Sequence, residues 1–423
     1  DSKILMLASS GVYIPYDVQK CFRVFKVSLA KLFPKLNASV VKRTQELNYD
    51  LLCMAYKKNF SDLTAAEDTK EFLEEVVYGK SNIREYVKLL CKQLNTDVGE
   101  ARTYKDWFAI AEQKAEIHVL SEQYRIPVDE ANYSFVDFVL KGFGKLSVEM
   151  NLSAPVLVSR TMEYIADHSK KFVFIVMDGM SEFDWRIISK SFAGIHYEKG
   201  QSMAMIPTVT SISRQCLLSN KFPKELENPW SQSKEKKEFI ECAKSLGFTE
   251  AQIGYERGYD ADFGATIKCA AIIINDVDDM VHGQLQGRLG MYNDINVLAD
   301  QHKLVDTVKR MLVQGFDVYI SADHGNAPCT GVGKLMKTGV ETETKSRRMI
   351  VLKDFANKDS LFEKYENLIE YPGYYLDKQF DYLICGVGES FDAKGDEVMS
   401  HGGITIDEVI VPFIKIKAVD NNG

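Results

Sequence analysis

The spacing of hydrophobic and polar positions changes near residue 159 of this chain. Before that point apolar residues recur every three or four positions, as in EFLEEVVYGKSNIREYVKLLCKQL at 71–94, and glycine is rare. This period places apolar side chains on one face of a helix. We therefore predict an α-helical N-terminal domain over residues 1–158.

The second half alternates short apolar runs with helical stretches. The runs that predict strands are KFVFIVMD at 171–178, AAIIIND at 270–276, DVYISAD at 317–323, RRMIVL at 347–352 and EVIVPFIKI at 408–416. Continuous apolar runs indicate strands covered on both faces, as in a mostly parallel sheet flanked by helices. The pattern predicts an α/β domain over residues 159–423, with function at the carboxyl ends of its strands.

Composition and charge are those of an ordinary globular protein. Hydrophobic residues make up 45% of the 423 positions, charged residues 26%, and the net charge is -8. That charge provides no overall field to attract nucleic acid or an anionic membrane, so a polyanion must be bound by a local patch or by metal.

Targeting signals and disulfide patterns are absent from the sequence. The eight cysteines form no C-x-x-C pair, and neither a secretory signal nor an 18-residue apolar run occurs. We expect a soluble cytoplasmic protein that does not contact membrane. The sequence starts at Asp1 rather than at methionine, which suggests either a fragment of a longer protein or a processed chain.

Acidic and histidine residues follow three of the predicted strands. They are Asp178 in VFIVMDGMS, Asp278 and His282 in INDVDDMVHG, and Asp323 and His324 in VYISADHGN. A single strand-end aspartate usually caps a turn or a helix. Three buried strands that each end in such residues instead predict one cluster, because an unpaired buried carboxylate is costly.

A further imidazole, that of His401 in SHGG, precedes the last predicted strand. Mixed carboxylate and imidazole ligands suit zinc or manganese. The combined set therefore predicts a metal site at one edge of the sheet.

A hydroxyl and a guanidinium lie between the first two acidic segments. In IPTVTSISRQCLLS, Thr210 occupies the position of a helix N-cap, where unpaired backbone N–H groups could bind a phosphoryl group. The structural alternative is a simple cap. Arg214, one turn further along, could hold a phosphate oxygen or be a solvated surface residue.

These motifs resemble a known family. The segments MDGMS, IPTVTSISR, SADHGN, RRMIVL and SHGGITIDEVIVPFI, in this order, are similar to the PglZ domain of the alkaline phosphatase superfamily. The similarity extends from about residue 170 to residue 415 and implies an alkaline phosphatase-like sheet flanked by helices.

The resemblance also implies roles for individual residues. It assigns Asp178, Thr210, Asp323 and His324 to one divalent cation and Asp278, His282 and His401 to another, with zinc or manganese as the metal. It makes Thr210 the nucleophile in preference to Thr208. Asp276 and Asp279 crowd Asp278, so its assignment depends on its four-residue distance from His282. Arg347 or Arg348 could contact phosphate, but neighbours on a strand face opposite ways.

The function implied is hydrolysis of a phosphoester. A phosphodiesterase or phosphatase acting on a nucleotide or nucleic acid in BREX-type phage defence, with other defence proteins as partners, is the leading hypothesis. A phosphomutase or sulfatase of the same fold is an alternative, although the C/S-x-P-x-R motif of sulfatases is absent after Pro207. A metal-binding scaffold or signalling module with little activity is another.

Overall fold

A computed structural model describes four segments of the chain, residues 80–128, 134–335, 346–353 and 358–418. The described α-helices are α1 Lys80–Glu100, α2 Tyr104–Tyr124, α3 Ser134–Gly142, α4 Thr161–His168, α5 Glu182–Ile188, α6 Thr210–Ser219, α7 Glu235–Ser245, α8 Asp276–Gly283, α9 Gly287–Asp300, α10 Lys303–Val313, α11 Lys358–Lys364 and α12 Ile406–Val409. Short 3-10 helices span Phe143–Val148, Val158–Arg160, Ser189–Phe192, Pro223–Glu225, Gln232–Lys234 and Glu250–Gln252.

Twelve strands are described. They are β1 Phe172–Met177, β2 Glu198–Met203, β3 Ile253–Arg257, β4 Cys269–Ile274, β5 Asp317–Ser321, β6 Ala327–Gly331, β7 Met349–Leu352, β8 Ile369–Tyr371, β9 Asp381–Ile384, β10 Glu389–Ser390, β11 Glu397–Ser400 and β12 Ile410–Ile416.

The described residues fall into two compact units. Residues 97–122 and the described chain from residue 134 onward form the unit that contains the sheets. Residues 80–96 and 123–128 belong to the other unit. The boundary predicted after residue 158 falls inside the sheet unit, because most of α2 and all of α3 belong to it.

The helical prediction for the N-terminal half is confirmed where the structure describes that half. Helices α1, α2 and α3 cover most of its described residues. In the predicted stretch at 71–94, residues 80–94 lie in α1, whereas 71–79 lie outside the described residues.

The main sheet has six strands in the order β2-β12-β5-β1-β4-β3. Strands β5, β1, β4 and β3 pair in parallel, and β12 pairs antiparallel with both β2 and β5. The sheet is therefore mostly parallel, as predicted. Strand β12 begins at the edge where the parallel strands end, since Phe413 lies opposite Ser321.

The two central strands β1 and β4 are completely buried, which explains their continuous apolar sequences FVFIVM and CAAIII. Burial of each large apolar side chain stabilises the fold by roughly 1.5–3 kcal/mol. This rigid centre fixes the positions of the polar residues that follow the strands.

One predicted strand has a different partner from the one expected. The run RRMIVL forms β7, which pairs antiparallel with β9 in a separate three-stranded sheet β7-β9-β8. Its continuous apolar character has another cause, because β7 packs into a local core that contains Ile350, Leu352 and Leu383. Strands β10, β6 and β11 form a third small sheet.

No described helix has the length and apolar character needed to cross a membrane. The six cysteines within the described segments are all in the free thiol form.

Candidate metal centre

Three neighbouring strands bring carboxylates to one edge of the main sheet. Asp178 follows β1, Asp323 follows β5, and Asp278 lies in the first turn of α8 after β4. Because β4, β1 and β5 are adjacent and parallel, their carboxyl ends lie side by side. His401 reaches the same edge because it precedes β12, which runs in the opposite direction.

A glycine makes the close approach of these segments possible. Gly179 has φ +72°, a left-handed conformation that disfavours other residues. A Cβ at this position would lie 3.4 Å from Asp278. The chain can therefore turn directly after Asp178 without blocking the second acidic segment.

The first cluster consists of Asp178, Asp323 and His324. Their potential ligand atoms lie within 4.8 Å of one another, and all three side chains are buried. The Nε2 atom of His324 is 3.9 Å from Asp178 Oδ1 and 3.7 Å from Asp323 Oδ2. Neither of those two buried oxygens has a hydrogen-bond partner in the described part of the chain.

The tautomer of His324 follows from its surroundings. Its Nδ1 atom lies 3.0 Å from the carbonyl oxygen of Gly325, which can only accept a hydrogen bond. The neutral ring therefore carries its proton on Nδ1 and presents the Nε2 lone pair to the cluster. The hydroxyl of Thr210 donates to that Nε2 atom over 3.1 Å.

Thr210 is the first residue of α6 rather than its N-cap, which corrects the expected position. Val209 occupies the N-cap, with φ -114° and ψ 140°, so the chain becomes helical one residue earlier than expected. The Thr210 hydroxyl is thus directed to His324 instead of capping the helix.

The neighbouring Thr208 has a structural position. Its hydroxyl donates to the carbonyl of Gly403 over 2.9 Å and accepts from the amide of Gly402 over 3.0 Å. It therefore fastens the segment that follows His401.

The second cluster consists of Asp278, His282 and His401. The first two lie four residues apart on α8, so they share a helix face. His282 Nε2 is 3.3 Å from Asp278 Oδ2, and His401 Nε2 is 3.4 Å from Asp278 Oδ1. The described residues Asp276 and Asp279 belong to neither cluster.

The two imidazoles of this cluster converge. Their Nε2 atoms lie 3.4 Å apart, and His401 Nδ1 donates to the carbonyl of Thr208 over 3.0 Å. Burial lowers the pKa of His401 to about 3, so this ring is neutral and its Nε2 offers a lone pair. The second cluster therefore places two imidazole nitrogens and one carboxylate close enough together to bind a single cation.

Negative charge is poorly compensated in the first cluster. Burial, followed by the charge of Asp323, raises the pKa of Asp178 well above its ordinary value. Burial likewise raises the pKa of Asp323 to about 6. A bound cation would favour the ionised form of both carboxylates and so lower their pKa values.

Histidine neighbours have the opposite effect on the second carboxylate. Although burial opposes the change, the hydrogen bond from His282 lowers the pKa of Asp278. The hydrogen bond to Asp278 in turn raises the pKa of His282. Asp278 Oδ1 is nevertheless buried without a hydrogen-bond partner among the described residues.

The two donor sets fit divalent cations. Each combines carboxylate oxygen with imidazole nitrogen, and three carboxylate oxygens of the clusters have no hydrogen-bond partner among the described residues. Mixed oxygen and nitrogen ligands are those of zinc and manganese sites.

Arg214 lies at a different position from the one expected of a phosphate ligand. Its side chain is 1% exposed, its Nε donates to Glu235 over 2.7 Å, and it forms an ion pair with Asp178. Two carboxylates, those of Asp178 and Glu235, thus pair with its guanidinium group. Arg214 therefore supports Asp178 from behind the cluster and does not line the cavity.

Arg347 and Arg348 differ in their exposure to solvent. Arg347 is partly exposed, lies 3.5 Å from Asp392, and its charge opposes protonation of His282, so it is near the second cluster. Arg348 is buried in an ion pair with Glu408 at 2.6 Å. Only Arg347 is thus in a position that solvent can reach.

The sequence interpretation overlooked Asn326. Its amide donates to the carbonyl of Gly179 over 2.9 Å and to Asp184 over 2.7 Å, and so fastens the turn after Asp178. Asp184 also forms a capping box with Ser181 at the start of α5. The only sequence signal was the place of Asn326 two residues after His324.

Glu408 was also overlooked, and it organises the segment after His401. It accepts hydrogen bonds from the amide of Gly403 over 2.8 Å and from the Thr405 hydroxyl over 2.7 Å, in addition to its pairing with Arg348. The T-x-x-E spacing of a capping box was the available signal.

A cavity of about 550 Å³ opens onto the second cluster and Thr210. Its lining residues are Val209, Thr210, Ser211, Trp230, Ser231, Gln232, Ser233, Asp278, His282 and His401. Thr210 and the second metal cluster therefore line the same cavity.

Comparison with protein families identifies the sheet region. A family model described as the BREX system PglZ alkaline phosphatase-like domain matches residues 158–416. This match confirms the family resemblance indicated by the motifs. No curated protein sequence matches the chain.

Solved structures with a similar fold include two kinds of hydrolase. Murine ectonucleotide pyrophosphatase/phosphodiesterase 5 aligns with a TM-score of 0.42 and 13% identity over 58% of this chain and 88% of that chain. Phosphonoacetate hydrolase from Sinorhizobium meliloti 1021, in complex with phosphonoacetate, aligns with a TM-score of 0.36 and 8% identity over 60% of this chain and 92% of that chain.

Proposed function

This chain belongs to the PglZ family of alkaline phosphatase-like domains of BREX systems, and from that premise we propose that it is a two-metal phosphohydrolase with Thr210 as nucleophile. The observation that carries the proposal is the position of the Thr210 hydroxyl. It lies 3.1 Å from His324 in the first cluster and lines the same cavity as the second cluster.

Each cluster would hold one divalent cation, zinc or alternatively manganese. One set comprises Asp178, Thr210, Asp323 and His324, and the other comprises Asp278, His282 and His401. When bound, such cations supply Lewis acidity that stabilises negative charge on phosphoryl and leaving oxygens.

The protein's own groups position the nucleophile and the phosphoryl group. Thr210 is at the N-terminus of the ten-residue helix α6, where backbone N–H groups and the helix dipole favour an anion. His324 and His401 each donate from Nδ1 to a backbone carbonyl, which favours the orientation in which Nε2 faces its cluster.

Hydrolysis would proceed in two displacements at phosphorus. The Thr210 oxygen first bonds to phosphorus while the ester oxygen leaves, and the hydroxyl proton ends on the released alcohol. Water then bonds to phosphorus and breaks the bond to Thr210. The second step restores the threonine hydroxyl and releases a phosphate product.

We propose a nucleotide or nucleic-acid phosphoester as the substrate and residues 159–423 as the catalytic domain. Family membership supports a role in phage defence together with other defence proteins. The cytoplasm is the compartment in which such a role would be carried out.

The test is metal content and hydrolysis of bis-p-nitrophenyl phosphate, with zinc or manganese added. The wild type should bind metal and turn over, whereas Thr210→Ala should keep metal and lose roughly a thousandfold or more of the activity. His324→Ala should lose both metal and activity. Thr249→Ala, at an exposed threonine, is the matched control and should retain activity.

Other results would contradict the proposal in distinct ways. Full activity in Thr210→Ala would exclude the threonine nucleophile. Bound metal without turnover in the wild type would favour a scaffold or signalling module, and a protein that binds no metal would exclude a two-metal enzyme.

A further inference from the structure

One tryptophan differs from the other two in this chain. The sequence contains three, and both Trp107 and Trp185 are 1% exposed and pack against other aromatic rings. Trp230 is partly exposed, lines the cavity, and has no ring partner among the described residues. Core packing explains the first two, but it does not explain a large aromatic ring at the cavity.

The loop that carries Trp230 is fastened to the helix of the nucleophile. Gln215 of α6 donates to the carbonyl of Asn228 over 3.2 Å, and the amide of Ser231 donates to the same carbonyl over 3.3 Å. Both hydrogen bonds fix the loop on either side of Trp230. The backbone that carries Trp230 is therefore anchored to the helix that begins with Thr210.

A second attachment lies at the other end of this loop. Glu235, the first residue of α7, binds Arg214, which in turn binds Asp178 of the first cluster. The loop is thus connected to the helix that begins with Thr210 and, through Arg214, to Asp178 of the first cluster. Trp230 therefore lies on a loop that is anchored to the candidate site.

Apart from the second metal cluster, the described residues that line the cavity are uncharged. Ser211, Ser231, Gln232 and Ser233 offer hydroxyl and amide groups, and the described residues that line the cavity include no lysine or arginine. A binding site for a nucleic-acid backbone would need basic side chains to neutralise several phosphates. A nucleobase fits this lining better. Its face can stack on the tryptophan ring, and its polar edge can form hydrogen bonds with the uncharged groups.

We propose that Trp230 determines specificity by stacking on the base of a nucleoside phosphoester, which enters the cavity as a single nucleotide unit. This inference rests on the proposed function, because the phosphoryl group of that unit must reach Thr210. The cavity volume of about 550 Å³ is within the range of small-molecule sites and suits one nucleotide rather than a duplex.

The experiment compares two esters with the same leaving group. Both p-nitrophenyl thymidine 5′-phosphate and methyl p-nitrophenyl phosphate release p-nitrophenol, but only the first carries a base. The wild type should have the higher kcat/KM for the thymidine ester. In Trp230→Ala the ratio of the two kcat/KM values should fall by about 5- to 150-fold, as expected for one base stacked on one aromatic ring.

Two further variants sharpen the comparison. Trp230→Phe should retain much of the preference for the thymidine ester, because a smaller ring still stacks. Tyr197→Ala removes a partly exposed ring that packs on Trp185 away from the cavity lining, and it should leave the ratio unchanged. An unchanged ratio in Trp230→Ala would overturn the proposal.

Binding measurements separate this proposal from the proposed function. If the wild type hydrolyses neither ester, phosphohydrolase activity fails, but affinity can still be measured by calorimetry with zinc-loaded protein. Thymidine 5′-monophosphate should bind more tightly than methyl phosphate, and Trp230→Ala should abolish that difference. Equal affinity of the two ligands for the wild type would overturn the stacking role.

Discussion

The rings of His324 and His401 are stacked, with centroids 4.2 Å apart and an interplanar angle of 16°. One ring belongs to each cluster, so the stack joins the two candidate metal sites. Each ring also donates from Nδ1 to a backbone carbonyl over 3.0 Å. The orientation of each imidazole is therefore set by the backbone and by the other ring.

Removal of His401 should remove one cation without emptying the first cluster. We expect His401→Ala to bind one zinc ion fewer per chain than the wild type, because Asp278 and His282 alone offer too few protein ligands. Metal analysis after dialysis measures this. His196→Ala, at an exposed histidine, is the control and should keep full content. Unchanged zinc content in His401→Ala would contradict the assignment of the second cluster.

Metal removal should destabilise the sheet unit. Without a cation, one buried oxygen each of Asp178 and Asp323 has no hydrogen-bond partner in the part of the chain that the structure describes. A ligand at 100 times its Kd stabilises the folded state by about 2.7 kcal/mol, so zinc added after chelation should raise Tm by several degrees. Differential scanning calorimetry measures the change.

Magnesium provides the comparison for this experiment. It prefers oxygen ligands and suits imidazole poorly, so it should raise Tm less than zinc at the same concentration. No effect of zinc would show that the mixed Asp and His clusters do not bind it. An equal effect of the two metals would show that the imidazole ligands do not contribute to binding.

Local sequence patterns were sufficient for most of the sheet. The runs that became β1, β4, β5 and β12 are continuous and apolar, because these strands are buried, and a buried strand can be recognised from its own residues. The run that became β7 has the same character but pairs antiparallel elsewhere. Strand pairing depends on distant residues, so an apolar run alone does not define its sheet.

The candidate site was predictable to a similar extent. Asp178 and Asp323 follow strands that the pattern identified, and parallel pairing brings them together. The position of Arg214 was not predictable, because its partner Glu235 starts a later helix and nothing near Arg214 in sequence marks the ion pair. Family motifs, rather than periodicity, suggested the division of the ligands between two cations.

Arg214 should be important for stability through its two buried carboxylate partners. In metal-free protein, Arg214→Met leaves Asp178 and Glu235 without their shared cation, and we expect a loss of roughly 3–5 kcal/mol in the free energy of unfolding. Urea unfolding followed by tryptophan fluorescence reports on the sheet unit, which contains all three tryptophans.

A second arginine on Glu235 offers a matched control. Arg257 lies 3.1 Å from the same carboxylate, but its side chain is 51% exposed. Arg257→Met should therefore cost less than about 1 kcal/mol. Similar losses in the two variants would show that burial of the Arg214 pair is not the cause.

Asp184 should make stability fall as pH rises. Burial raises its pKa to about 6, although hydrogen bonds from Ser181 and Asn326 act in the opposite direction. In the unfolded chain an aspartate titrates near 3.9. Between these two values the folded state holds a proton that the unfolded state has released, so this group destabilises the fold progressively from about pH 4 to pH 6.

The variant Asp184→Asn removes this titration. Relative to the wild type it should therefore gain stability from about pH 4 to pH 6 and keep that gain at higher pH, about 3 kcal/mol in total for a pKa difference of about two units. Urea unfolding in chelator at several pH values measures the difference.

Asp106→Asn is a control of opposite sign, because backbone hydrogen bonds from Arg102 and Thr103 lower the pKa of Asp106. Its stability relative to the wild type should decline as pH rises. A pH-independent difference for Asp184→Asn would mean that the buried carboxyl group titrates as it does in the unfolded chain, and that its hydrogen bonds to Ser181 and Asn326 offset its burial completely.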